Sequence, residues 1–161
     1  MVAIPPITPY LTVSDAAAAI EFYKTALGAT VDMEPSKMPG TDKIMHARLL
    51  INGSLIMLAD DFSEMMHTPC MTPPALGGSP VVLALQVDDA QAFWDKAVAG
   101  GAVVTMPLAK QFWGAIYGQF NDPFGHKWSV SQTIVEMSEE EMAESAQKAL
   151  DEKGTLMGDP V

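Results

Sequence analysis

Two stretches of the chain repeat one order of apolar and polar positions. "YLTVSDAAAAIEFYKTALGATV" (10–31) and "LALQVDDAQAFWDKAVAGGAVV" (83–104) each open on alternating residues, pass an aspartate, and continue at helical spacing to a glycine. Alternation predicts a strand buried on one face, and apolar residues three and four apart predict an amphipathic helix. Ile20, Tyr23 and Leu27 fall on one face of the first helix, and Phe93, Ala97 and Val98 on one face of the second. Ser14/Asp15 and Asp88/Asp89 suit the helix starts, while Gly28 and Gly100/Gly101 suit the left-handed position at the ends. Val13 matches Val87, Asp15 matches Asp89, and Gly28-Ala29 matches Gly101-Ala102, an offset of 73 to 74 residues. That is too long for a solenoid repeat and right for two copies of a half-domain.

Strands follow each helix. "KIMHARLLI" and "LIMLAD" flank Asn52-Gly53, a hairpin signal because both turn positions need positive φ. A two-residue turn sets Ile51 opposite Ser54, Leu49 opposite Ile56, Arg48 opposite Met57 and His46 opposite Ala59. In the second half, "FWGAIYGQFNDPFGHKWSV" (112–130) predicts a strand on each side of the Asp122-Pro123-Phe124-Gly125 turn. "DMEPSKMPGTDK" and "DDFSEMMHTPCMTPPALGGSP" read as loops from their Pro, Gly, Ser and Thr content. The second is long enough to be a lid or the linker between halves. Ser138 to Glu141 is a capping box that opens a helix through Leu150, with Met142, Ala146, Ala149 and Leu150 as a narrow apolar stripe. The fold class is therefore α+β. Residues 1–133 form one domain, with module one over about 5–62 and module two over about 80–133, and 134–161 form an acidic helix and tail.

Composition narrows the partners. The apolar fraction of 48% supports a buried core, and no stretch approaches the roughly 20 apolar residues of a membrane span. The first residues lack the basic and apolar regions of a signal peptide. With one cysteine, Cys70, the expected compartment is the cytoplasm. The net charge of −11 disfavours nucleic acid and anionic membranes. Residues 134–161 carry eight acidic groups and two lysines, a net of −6, so the acidity is mostly a tail property. No P-loop, dinucleotide fingerprint or G-x-S-x-G is present.

"AIEFYKTALGA", "MHARLLINGSLIMLAD", "AGGAVVTMPL", "FWG", "DPFGHKW" and "EMSEEEM", in this order and spacing, resemble the vicinal oxygen chelate superfamily of glyoxalase and bleomycin-resistance proteins. Within it they are most similar to the PhnB-like group, some of whose members carry a demethylubiquinone methyltransferase label. The resemblance implies paired βαβββ modules with an additional C-terminal helix, a concave cavity, and often a homodimer. Enzyme members hold a divalent metal on four side chains of that cavity. Their positions fall here on Thr8, Met57, Val82 and Ser129, a set without imidazole or carboxylate. The expectation is no metal and no cofactor.

Alternation places Tyr10, Thr12, His46, Arg48, Met57, Gln86, Ser129 and Ser131 on the concave side. Arg48 has the fork to pin a carboxylate or phosphate, or, with His46, to satisfy a local carboxylate such as Asp60. Phe112 and Trp113 suit a planar ligand or core packing. His67 reads as an exposed loop residue and His126 as a turn-closing one. Met65, Met66 and Met71 fit an adaptable lid or ordinary packing. The leading reading is a metal-free small-molecule binding homodimer whose ligand candidates include aromatic compounds. The rivals are an enzyme (lyase, isomerase or dioxygenase) with a non-standard metal set drawn from His46, Asp60 or His126, and an interaction protein that uses the acidic helix.

Overall fold

The computed structural model describes residues 1–161. Module one runs β1 (Tyr10–Val13), α1 (Ala16–Ala26), β2 (Thr30–Lys37), β3 (Ile44–Ile51) and β4 (Ser54–Asp60). Two single-turn helices, α2 (Ser63–Met66) and α3 (Pro73–Leu76), lie in the long connection. Module two repeats the order with β5 (Val82–Gln86), α4 (Ala90–Ala99), β6 (Val103–Lys110), β7 (Ala115–Asn121) and β8 (Lys127–Thr133), and α5 (Glu139–Lys153) follows. The strands form two four-stranded mixed sheets ordered β1-β4-β3-β2 and β5-β8-β7-β6, so the modules share one topology. In each, the first strand pairs parallel with the last and the other pairings are antiparallel.

Caps start the helices where the sequence places them. Asp15 accepts from the Ala18 amide and Asp89 from the Ala92 amide, both at 2.9 Å. The next free amide is held from the far strand: Ala16 donates to Asp60 Oδ1 and Ala90 to Gln132 Oε1. The Asn52-Gly53 turn has both residues at positive φ, and the hairpin register is Ile51↔Ser54, Leu49↔Ile56 and Arg48↔Met57, as its length dictates.

Three expectations are corrected. "DMEPSKMPGTDK" is not all loop, because β2 continues through Lys37. It is an edge strand with irregular register on β3, and an edge tolerates the missing amide of Pro35. Helix α4 buries Ala90, Trp94 and Ala97, whereas Phe93 only packs against the core margin and Val98 is exposed. Ala97 is buried as expected, and Trp94 takes the buried place expected of Phe93. Helix α5 runs three residues beyond Leu150, with the Ser138/Glu141 capping box formed. None of its residues is fully buried.

One cluster of 26 buried residues draws on both modules. Asp122 is buried as well, at 3% exposure. Oδ2 accepts from the Tyr23 hydroxyl (2.7 Å) and Trp128 Nε1 (2.9 Å), while Oδ1 accepts from the Phe124 and His126 amides. Burial and the adjacent carboxylate push the Tyr23 phenol well above its ordinary range. Tyr23 belongs to α1, so this single carboxylate ties module one to the turn of module two. Close approach of α1 and α4 needs Gly100, where an added Cβ would meet Ala26 Cβ at 2.5 Å.

Candidate functional site

Alternation along the strands sorts each sheet into two faces. Leu11, Val13, Leu49, Ile51, Ile56 and Leu58 enter the core from the first sheet, and Leu85, Phe120, Trp128 and Val130 enter it from the second, where Trp128 packs on Tyr23 of α1. The opposite, helix-free faces carry the candidate site residues.

On the first sheet, Tyr10, Met57, Arg48 and Met33 form one row across β1, β4, β3 and β2. Met57 is buried, and Tyr10 is half exposed. The Tyr10 hydroxyl lies 3.0 Å from His46 Nδ1 and 3.2 Å from the Met45 carbonyl. Burial raises the Tyr10 phenol above its ordinary value, so it is protonated at neutral pH. Thr12 is on the same face as Tyr10, and its carbonyl meets the His126 ring at 3.2 Å. That histidine therefore joins the modules through its ring, and its backbone alone closes the turn.

Arg48 pairs with a carboxylate, but the partner is Asp32 of β2, at 2.8 Å, and not Asp60. Asp60 is occupied by the Ala16 and Ile44 amides. Arg48 also donates to the Val2 carbonyl at 2.6 Å. Residues preceding β1 thus cover this end of the face.

On the second sheet, Ala84, Ser129 and Gln119 form one row, and Gln86, Ser131 and Tyr117 the next. Ser129 is buried, and Gln86 is exposed and donates to Thr133 Oγ1. Gln119 donates to the Tyr117 hydroxyl at 2.7 Å. Trp113 lies edge-on to Tyr117 at 5.8 Å and to Phe112 at 4.9 Å. The tryptophan, tyrosine, glutamine and serine thus share one patch, and Gln86 lies at its border. Tyr10, Thr12, His46, Arg48 and Met57 make a separate group on the other sheet. Alternation along the sequence does not single out Tyr117 and Gln119. Their place follows from pairing β7 against β8 across the Asp122 turn, a register that this longer turn does not specify.

The residues at the four metal positions do not fit a divalent ion. Thr8 and Ser129 offer neutral hydroxyls, Met57 a thioether, and Val82 nothing. Thr8 precedes β1 and bonds to the Pro5 carbonyl. His46, Asp60 and His126 are engaged at separate places, and no three His, Cys, Asp or Glu side chains converge. His67 is exposed in the long connection, in left-handed backbone. Met65, Met66 and Met71 there are exposed as well. No helix is long and apolar enough to cross a membrane.

Comparison with known proteins agrees with this frame. A Mycobacterium bovis protein described only as uncharacterized, Mb0911c, is 44% identical over 139 residues, covering 86% of this chain and 90% of that one. The crystal structure of PA1353 from Pseudomonas aeruginosa is 28% identical with a TM-score of 0.60, covering 81% of this chain and 98% of that one. A PhnB protein of Bacillus cereus shares the fold at 21% identity and a TM-score of 0.60, covering 80% of this chain and all of that one. The family model for the Glyoxalase/Bleomycin resistance protein/Dioxygenase superfamily matches residues 3–130. Repeated modules, their shared topology and this match lead to one conclusion: the chain belongs to the glyoxalase/bleomycin resistance protein/dioxygenase superfamily.

Proposed function

We propose that this protein binds a small molecule on the helix-free faces of its sheets, without a metal, and acts as a homodimer. The observation that carries this reading is the donor set. Thr8, Met57, Val82 and Ser129 stand where the resemblance places the metal ligands of enzyme members, and His46, Asp60 and His126 are bonded at separate places.

The second sheet offers the chemistry for a planar ligand. Trp113 and Tyr117 present aromatic surface, and Gln119, Ser129 and Ser131 add donors and acceptors beside it. A flat ring stacks on the aromatic pair while its heteroatoms meet the amide and hydroxyls. Apolar walls with a few placed polar groups are the usual make-up of a ligand site.

The experiment is a fluorescence and thermal-shift titration with planar aromatic compounds. A ligand found this way loses about two- to tenfold in affinity in Trp113→Ala, since one aromatic contact contributes about 0.5–1.5 kcal/mol. Unchanged affinity in Trp113→Ala overturns the assignment to this patch. Sedimentation checks the dimer, and a monomer at working concentration removes that part of the proposal.

A further inference from the structure

On the helix-free face of module one, the Arg48–Asp32 pair is almost fully enclosed, with side-chain exposures of 8% and 3%. Enclosed charges need every donor and acceptor met, because desolvation costs several kcal/mol per ion. Here they are not all met. Arg48 Nε is buried without an acceptor, and Asp32 Oδ2 touches Arg48 Nη2 without hydrogen-bond geometry. The pair instead grips the start of the chain: the Val2 amide donates to Asp32 Oδ1 at 2.7 Å and its carbonyl accepts from Arg48 Nη2 at 2.6 Å, while the Met1 ammonium lies 3.7 Å from Asp32 Oδ1 and the Met1 sulfur accepts from Arg48 Nη1 at 3.9 Å.

A carboxylate that reads an N–H beside a guanidinium that reads a C=O is a recognition device for an amide-bearing residue. Residues 1–7 are exposed, and Pro5, Pro6 and Pro9 have no amide to give to a strand edge. Beneath the segment, between it, the start of β4 and β5, lies a cleft of about 680 Å³. The segment therefore bridges a void between its anchor at Pro9, whose carbonyl accepts from Met57, and its anchor at Val2.

We propose that the Arg48–Asp32 pair is a binding site for the backbone N–H and C=O of one residue of peptide-like ligands, and that residues 2–8 occupy it as a displaceable internal stand-in. The unmatched Arg48 Nε–H takes a second acceptor on such a ligand, and Met57 and Tyr10, in the same row, form the neighbouring floor. This rests on the reading of the helix-free faces as ligand surfaces and names the ligand class for the first of them.

The test uses the full chain and the variant Val2→Pro, which removes the amide that donates to Asp32. The probe is a synthetic acetylated peptide amide of residues 2–7, with a second version carrying an ester oxygen in place of the valine N–H. The expected result is that Val2→Pro binds the amide peptide about tenfold or more tightly than the unaltered chain does. The ester version should bind the variant about tenfold or more weakly than the amide, the worth of one hydrogen bond to a charged group. Equal binding of amide and ester, or no binding to Val2→Pro, overturns the inference. If an aromatic ligand still binds at Trp113, only this inference falls; loss of both overturns the reading beneath it.

Discussion

Helix α1 starts with Asp15 as its cap and the Ala16 amide on Asp60; helix α4 starts with Asp89 as its cap and the Ala90 amide on Gln132. The two modules also share strand order and parallel first-to-last pairing. Their helix-free faces have nothing comparable in common. The first carries a buried ion pair gripping Val2, and the second carries Trp113, Tyr117, Gln119 and Ser129. Caps and backbone ladders maintain the frame, so side chains pointing away from the helices are free to diverge. The lesson is that this duplication repeats the scaffold and leaves each copy to specialise its outward face.

The modules also differ in how each uses its central carboxylate, and this gives the largest expected effect. Asp122→Ala strands four donors from two modules and should cost about 3–5 kcal/mol, on the scale of breaking a buried charged network. Asp60→Ala strands two amides of module one only and should cost about 2–3 kcal/mol. Chemical denaturation of both variants decides. An equal or larger loss in Asp60→Ala would remove Asp122 as the link between modules.

Tyr23 sharpens the same point through pH. Its folded pKa lies above the unfolded value near 10, so folding favours the protonated phenol. That contribution is complete below pH 10 and is lost as pH rises from 10 through the folded pKa. Denaturation from pH 8 upward should show stability falling in that alkaline window, and Tyr23→Phe should flatten the fall while losing one hydrogen bond. An unchanged alkaline slope in Tyr23→Phe assigns the titration elsewhere.

The smallest effect belongs to α5, which repeats nothing in either module. Ser138→Ala should cost its helix about 1 kcal/mol and leave the unfolding midpoint of the core nearly unmoved, because no α5 residue is buried. Circular dichroism against tryptophan fluorescence separates the two signals.

Local rules made much of the frame legible. Asn52-Gly53 set the β3–β4 register to the residue, and the aspartate caps and Ser138 box marked the helix starts. What stayed hidden depends on contacts distant in sequence. Pro35 and Gly40 made β2 resemble a loop, although an edge position accommodates the proline. Asp122 looked like a turn residue because its partner Tyr23 lies 99 positions away. The Asp32 partner of Arg48 sits in that same disguised strand. The alternation rule still put Ser129 and Met57 on the correct face, whereas the patch that groups Ser129 with Tyr117 required the β7–β8 register.

The central claim is ligand binding on the helix-free faces without a metal, and one measurement addresses it most directly. Calorimetric titration of a screened ligand, before and after exhaustive chelation and with elemental analysis of protein purified without chelator, should give the same affinity twice and no stoichiometric divalent metal. A stoichiometric metal whose removal abolishes binding, and which His46→Ala also loses, would contradict the account.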